Sequence, residues 1–154
     1  GRIGQHIAQG LEDSGIPYTI MDIDPERIAE ARASGRQCLY GDASNPRVLA
    51  QLDLSRAETL VITFPDPVAV VTTAKAIRQT NPNLKIVVRV HRAREAELLT
   101  SLGNVELISP EYEASLEFLR RILVASGWSK DNIQEALSIT QRRREFTQYS
   151  PEEV

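Results

Sequence analysis

The sequence predicts an α/β fold: a Rossmann-like, doubly wound parallel sheet followed by two appended helices. Five short apolar runs, at 18–24, 37–42, 59–63, 85–90 and 105–109, alternate with helical patterns, the order expected of a parallel sheet with helices on both faces. The runs are rich in Val, Ile and Leu with no alternating polar face, as in strands covered on both sides. The connections between them are short, as βα and αβ loops are.

Taken in order, "GRIGQHIAQGLEDSG" predicts a helix over 2–14, with Ile3, Ile7 and Leu11 on one face and Gly15 as its stop. The strand "YTIMDID" leads into "DPERIAEARASG", where Asp24 is the N-cap, Pro25 the first helical residue and Gly35 the closure. After the strand "QCLYGD", "NPRVLAQLDL" repeats that logic with Asn45 and Pro46, and Val48, Leu49 and Leu52 form its apolar face. The strand "TLVIT" precedes a helix over 67–80 with Val70, Val71, Ala74 and Ile77 on one side. "KIVVRV" precedes a helix over 93–102 with Ala96, Leu99 and Leu102 inward, and "VELIS" is the last strand. Then a helix over 112–126 carries a stripe of Leu116, Leu119, Ile122 and Leu123, with Phe118 off it. "SKDNIQEALSITQRRREF" is a second helix, capped by Ser129, with Ile133, Leu137 and Thr140 on a thinner face.

Composition narrows the function. At 154 residues and 42% hydrophobic content the chain buries a core without staples. A net charge of −3 argues against general nucleic-acid binding. Cys38, the single cysteine, excludes an internal disulfide and fits a reducing compartment. No apolar run approaches the roughly eighteen residues that span a bilayer. Neither HExxH nor CxxC occurs, no nucleophilic triad declares itself, and His6 and His91 have no partners at metal-ligand spacing. Nothing in the chain supplies the residues that would hold a carbonyl against a nicotinamide, so no enzyme activity is expected.

The residues that point to a ligand lie at strand ends. Gly1 and Gly4 have the spacing of the last two glycines of G-x-G-x-x-G, the loop that cradles a dinucleotide pyrophosphate at a helix N-terminus. The first glycine and the strand before it are not in the sequence, so "GRIG" is expected to be a phosphate loop cut short at its start. Asp22, eighteen residues beyond Gly4 and followed by Ile23, stands where a carboxylate accepts both ribose hydroxyls of an adenosine. An aspartate there favours NAD(H) or a plain adenine nucleotide over a 2′-phosphorylated one. In "YGDAS", Asp42 can accept from an adenine amino group with the Ala43 backbone nearby, and a turn feeding the Asn45–Pro46 helix explains the same residues. In "TFPDP", Thr63 can hydrogen-bond and Phe64 can cover a ribose or base, and ordinary loop chemistry explains these too. Arg89, inside an apolar strand, needs an anionic partner, either a phosphate or a structural carboxylate. His91, Arg92 and Arg94 read as a solvated surface.

In their order, "GRIGQHIA", "IMDIDPERI", "YGDAS", "IVVRVH" and "SPEYEAS" resemble the TrkA-N/RCK domain, the regulator of potassium conductance, over residues 1 to about 125. Within that family the chain is similar to the cytosolic C-terminal domain of a Kef-type cation:proton antiporter. The resemblance implies that Gly1, Arg2, Ile3 and Gly4 form the phosphate loop, Asp22 the ribose carboxylate, and Asp42 and Ala43 the adenine-side contacts. It places Thr63 and Arg89 along the same cleft and Glu111 at the start of the crossover helix. It implies a nucleotide-binding domain over 1–111 and a crossover helix with a helical tail over 112–154. It also implies NAD(H), AMP, ADP or ATP as ligand, and a homodimer through the crossover helix. A membrane-embedded transporter domain is expected upstream on the same polypeptide, with this domain on the cytoplasmic face of the cell membrane and ligand identity gating transport. A glutathione site does not carry over, because "NVELISPEYEASLEF" is acidic where that site would need basic residues. The competing readings are the NAD-binding fragment of an oxidoreductase, a free-standing Trk-type regulatory subunit, and an interaction scaffold with an empty cleft.

Overall fold

Four helices begin at a proline behind a side chain that caps them. Asp24 accepts from the amides of Glu26 and Arg27, Asn45 from Arg47, Asp66 from Ala69 and Ser109 from Tyr112. Proline suits the first helical position because its missing N–H would be an orphan there and its φ is already helical. These signals set the frame α1 (Arg2–Asp13), β1 (Ile20–Asp22), α2 (Pro25–Ala33), β2 (Cys38–Tyr40), α3 (Pro46–Leu49), β3 (Thr59–Ile62), α4 (Pro67–Thr80), β4 (Lys85–Arg89), α5 (Ala93–Thr100), β5 (Val105–Ile108), α6 (Pro110–Ala125) and α7 (Lys130–Gln148), with a 3-10 turn at Leu54–Arg56. The computed structural model describes residues 1–148, with only the backbone described for Ala93 and 143–148. The end of the predicted helical tail, 149–154, lies outside the described residues.

All five predicted strands are present, each shorter than its apolar run, and they form two sheets. β1 pairs in parallel with β2, Ile20 opposite Cys38 and Asp22 opposite Tyr40. The other sheet has the order β3-β4-β5, with β3 parallel to β4 from Thr59 opposite Lys85 to Ile62 opposite Val88. No ladder joins β1 to β3 among the described residues. The doubly wound sheet is therefore interrupted between β1 and β3, and the start of α1 contacts the carboxyl end of both strands, as shown below.

The chain divides into two compact units, Gly1–Leu107 and Ile108–Val154. In the first, Ile62, Val70, Ala74, Ile77, Leu84, Ile86, Val88, Val90 and Leu99 make the core with Leu49. Burying each such side chain contributes about 1.5–3 kcal/mol before conformational entropy is charged against it. Arg78 on α4 ties the amino ends of two strands together: its guanidinium donates to the carbonyls of Pro82 at 2.6 Å, Leu84 at 2.9 Å and Gly103 at 2.7 Å. This tie lies at the edge of the sheet opposite the carboxyl ends of the strands.

Two face assignments change. On α1 the most buried residue is Ala8, and Ile3 is exposed, because the helix leans inward on its small residue. On α6, Leu116 is buried and Leu119 and Leu123 are half-buried, but Ile122 is 60% exposed beside Phe118 at 69%. Ile122 follows Phe118 by four residues, one helical turn, and so shares its outward face rather than the leucine stripe. In the second unit α6 and α7 pack on each other, and Ile133 of α7 is buried.

Candidate functional site

Asp22 ends β1, and its carboxylate meets the start of α1: the Gly1 nitrogen is 3.3 Å from Oδ2. The strand carries the acid to this point because Ile20 and Met21 bury their side chains partly on either face of the β1–β2 pair. Oδ1 accepts the Asp24 amide at 3.0 Å, which fixes the rotamer. Burial raises the Asp22 pKa, but the hydrogen bond from the Asp24 amide and the nearby Arg27 are among the groups that outweigh it and hold the carboxyl below its ordinary value. The group is an anion with a fixed orientation and a side-chain exposure of 17%, enough for a ligand to reach.

Gly1 is the N-cap of α1, with no side chain capping the helix and no acidic residue in the first turn. The first-turn amides, left without a side-chain acceptor, make a positive end suited to an anion. Arg2 and Ile3 are exposed in this turn. Gly4 is in contact with the residue after β3: a Cβ placed on it would stand 3.5 Å from Thr63 Oγ1. The opening turn of α1 therefore lies against the ends of both β1 and β3, and Gly1, Gly4, Asp22 and Thr63 come together. Arg89 is the last residue of β4, and β4 runs parallel beside β3, so it belongs to the same carboxyl edge. Its Nε is buried with no hydrogen-bond partner, and no carboxylate pairs with it among the described residues.

The remaining candidates divide. Asp42 closes its own turn, with Oδ1 accepting the Ser44 amide at 2.8 Å and the Ser44 hydroxyl at 2.7 Å. The Ser44 hydroxyl, then its amide, lower its pKa. The turn reading of "YGDAS" is therefore present in the structure. The turn is close to β1 all the same, since Gly41 donates its amide to the Asp22 carbonyl at 3.0 Å. Ala43 and Phe64 are half-buried and packed against the core. Ile23 is 61% exposed next to Asp22. Glu111 lies in the first turn of α6, where its charge complements the helix N-terminus, and it belongs to the second unit. His91 donates its backbone amide to Glu95 at 3.1 Å, a bond that serves the start of α5. No group of His, Cys, Asp or Glu that could hold a metal occurs among the described residues, and no helix of those residues is long and apolar enough to cross a membrane.

Sequence reasoning missed Arg27. Its Nη1 is 3.5 Å from Asp22 Oδ2 and its Nε 3.2 Å from Asp24 Oδ2. Spacing puts Arg27 one turn into the helix that follows Asp22, but its contact with that carboxylate depends on the side-chain rotamer.

The TrkA-N domain family matches residues 1–110. The putative K(+) efflux antiporter KefB of Alkalimonas amylolytica is 32% identical over 124 residues, covering 80% of this chain and 19% of that protein. The glutathione-regulated potassium-efflux system protein KefC of Enterobacter sp. (strain 638) is 30% identical over 145 residues, covering 92% of this chain and 23% of that protein. The chain thus spans about a fifth of the length of these relatives. Among solved structures, the Kef C-terminal domain of Shewanella denitrificans in its AMP-bound form superposes with a TM-score of 0.75 at 21% identity, covering 97% of this chain and 90% of that one. The GsuK channel bound to NAD superposes with a TM-score of 0.63 at 18% identity, covering 80% of this chain and 21% of that one. At those identities the two structures bear on the fold.

Proposed function

The chain belongs to the TrkA-N domain family, and from that premise we propose that it is a nucleotide-sensing regulatory module of a potassium transport protein. The ligand is an adenine nucleotide (AMP, ADP or ATP) or NAD(H), bound across the carboxyl edge of β1, β3 and β4. The observation that carries this reading is the convergence of Gly1, Gly4, Asp22 and Thr63 around the uncapped start of α1. A helix N-terminus for phosphate and a fixed carboxylate for a vicinal diol, side by side, are complementary to a ribose phosphate. Arg89, with its buried Nε unpartnered, supplies a further donor to the anionic end. The AMP in the Shewanella domain and the NAD in the GsuK channel support the same ligand class.

The wider assignments belong to this reading as well. The module has no turnover of its own and sits on the cytoplasmic face of a membrane, joined to a membrane-embedded transporter on the same polypeptide. Residues 1–111 are the nucleotide-binding domain, and the crossover helix and the helix after it are the arm. Two copies pair through the outward face of α6, where Phe118 and Ile122 lie one turn apart and exposed. An apolar pair of that kind on a helix marks an interface, and the same helix from a second copy covers both at once. Ligand binding then biases the pair and, through it, transport. A thermal-shift titration of the 154-residue chain with AMP, ADP, ATP, NAD and NADH tests the ligand class. A saturable rise in melting temperature with at least one of them is expected, and no shift with any would overturn the assignment.

A further inference from the structure

On Asp22 alone, the ribose end of this site excludes a 2′-phosphate by charge repulsion. Arg27 changes that balance. Of the two Asp22 oxygens, Oδ1 is turned to the Asp24 amide, while Oδ2 faces both the Gly1 nitrogen and Arg27 Nη1. The oxygen on the glycine-loop side, where a ribose must lie, is thus the one that touches the guanidinium. Arg27 is also held from below, with Nε on Asp24 and its backbone amide on the same carboxylate at 3.4 Å. A guanidinium has five donors in a planar fork, and these contacts with Asp22 and Asp24 leave part of the fork unused. The side chain is 49% exposed against 17% for Asp22, so it can turn outward with little loss of packing. Charged groups on the neighbouring elements are Arg2 on α1 and Glu26 on α2, both exposed.

Resting on the proposed nucleotide site, we propose that Arg27 is a specificity-determining residue that lets the ribose end accept a 2′-phosphorylated adenosine alongside the unphosphorylated one. When the 2′ position bears a hydroxyl, Arg27 stays on Asp24 and Asp22 accepts from the diol. When it bears a phosphate, the guanidinium stands between the two anions and donates to the phosphate, which it matches in shape and charge. Arg27 touches neither the 5′-phosphate site nor Thr63 among the described contacts, so it separates affinity for the 2′ substituent from affinity for the rest.

The test is calorimetric titration with AMP and with adenosine 2′,5′-bisphosphate, two probes that differ in the 2′-phosphate alone. The unmodified 154-residue chain should bind both, with dissociation constants within about tenfold of each other. Arg27→Ala should weaken the bisphosphate by about tenfold or more relative to its effect on AMP, the scale of one hydrogen bond to a charged group. Arg27→Lys, which keeps the charge and loses the fork, should restore part of that loss. An unchanged ratio in Arg27→Ala, an equal loss for both probes, or rejection of the bisphosphate by the unmodified chain overturns the assignment of Arg27 while leaving the nucleotide site standing. Failure of AMP itself to bind overturns the site and this inference with it.

Discussion

Gly4 and Thr63 face each other across the first turn of α1: a Cβ at position 4 would lie 3.5 Å from the Thr63 hydroxyl oxygen. That is ordinary van der Waals contact, so the fold tolerates a side chain here. The absence of one leaves the turn open to a ligand backbone or phosphate. Stability and binding should therefore move in opposite directions in Gly4→Ala. Alanine inside a helix stabilises by up to about 1 kcal/mol relative to glycine, while the added methyl narrows the space between loop and hydroxyl. Urea unfolding should show an unchanged or higher midpoint, and titration should show AMP affinity reduced by about tenfold or more. Equal AMP affinity in the variant would mean that the ligand does not approach this turn.

A different glycine is closed to any side chain. A Cβ on Gly41 would stand 2.5 Å from Val48 Cγ1, and valine has few rotamers with which to yield. Gly41→Ala should destabilise by about 1–3 kcal/mol. Val48→Ala should be mildly destabilising by itself and should rescue Gly41→Ala, giving a favourable coupling in a double-mutant cycle. Additive losses would show that the β2–α3 turn is not held by this contact.

Acid titration should find an unusual carboxyl at Glu117 on α6. Glu117 is hydrogen-bonded by Arg120 and then Arg121, which lower its pKa from 4.5 to about 2. A carboxyl depressed on folding contributes stability above its unfolded value and loses it as protons bind. That contribution is therefore complete above pH 4.5 and fades as pH falls toward about 2. The ions are exposed, so the effect on global stability is small, and the site-specific readout is the carboxyl resonance of Glu117. It should titrate near pH 2 in the native chain and move toward 4.5 in Arg120→Ala. A midpoint already near 4.5 in the native chain would contradict the ion-pair geometry.

Assembly follows from the outward pair on α6. Phe118→Glu and Ile122→Glu should each convert a dimer to a folded monomer in sedimentation at micromolar concentration, with far-ultraviolet dichroism unchanged. Leu116→Glu should instead unfold the helical unit, because Leu116 is buried. A folded monomer for the unmodified chain would remove the dimer.

Much of this was legible in the residues, and the exceptions have physical causes. The Asp24–Pro25 and Asn45–Pro46 caps placed α2 and α3, because a capping side chain followed by proline is a local signal that tertiary contacts need not override. Asp66–Pro67 and Ser109–Pro110 carry the same signal: α4 spans the predicted 67–80, while α6 begins at Pro110, two residues before the predicted 112. Strand ends could not be placed from apolar runs, since a run continues through Ile23 or Thr63 after the ladder has stopped. Asp22 was found by its distance from Gly4 and its place at a strand end. Arg27 was not found, because its contact with Asp22 depends on a side-chain rotamer rather than on spacing. Asp42 was undecided in sequence for a sound reason: an aspartate that closes a turn onto Ser44 and one that meets a ligand use the same residue at the same strand end.

The central claim is that the start of α1 and Asp22 together hold an adenosine phosphate. Calorimetric titration of AMP into the unmodified chain and into Asp22→Ala tests it most directly, with Asp22→Asn as the shape-preserving control. The account predicts saturable one-to-one binding to the unmodified chain. In both variants it should weaken by about 1.5–3 kcal/mol, the range for hydrogen bonds to a charged group, with their folds intact by circular dichroism. No binding heat in the unmodified chain, or equal affinity in all three proteins, would contradict it.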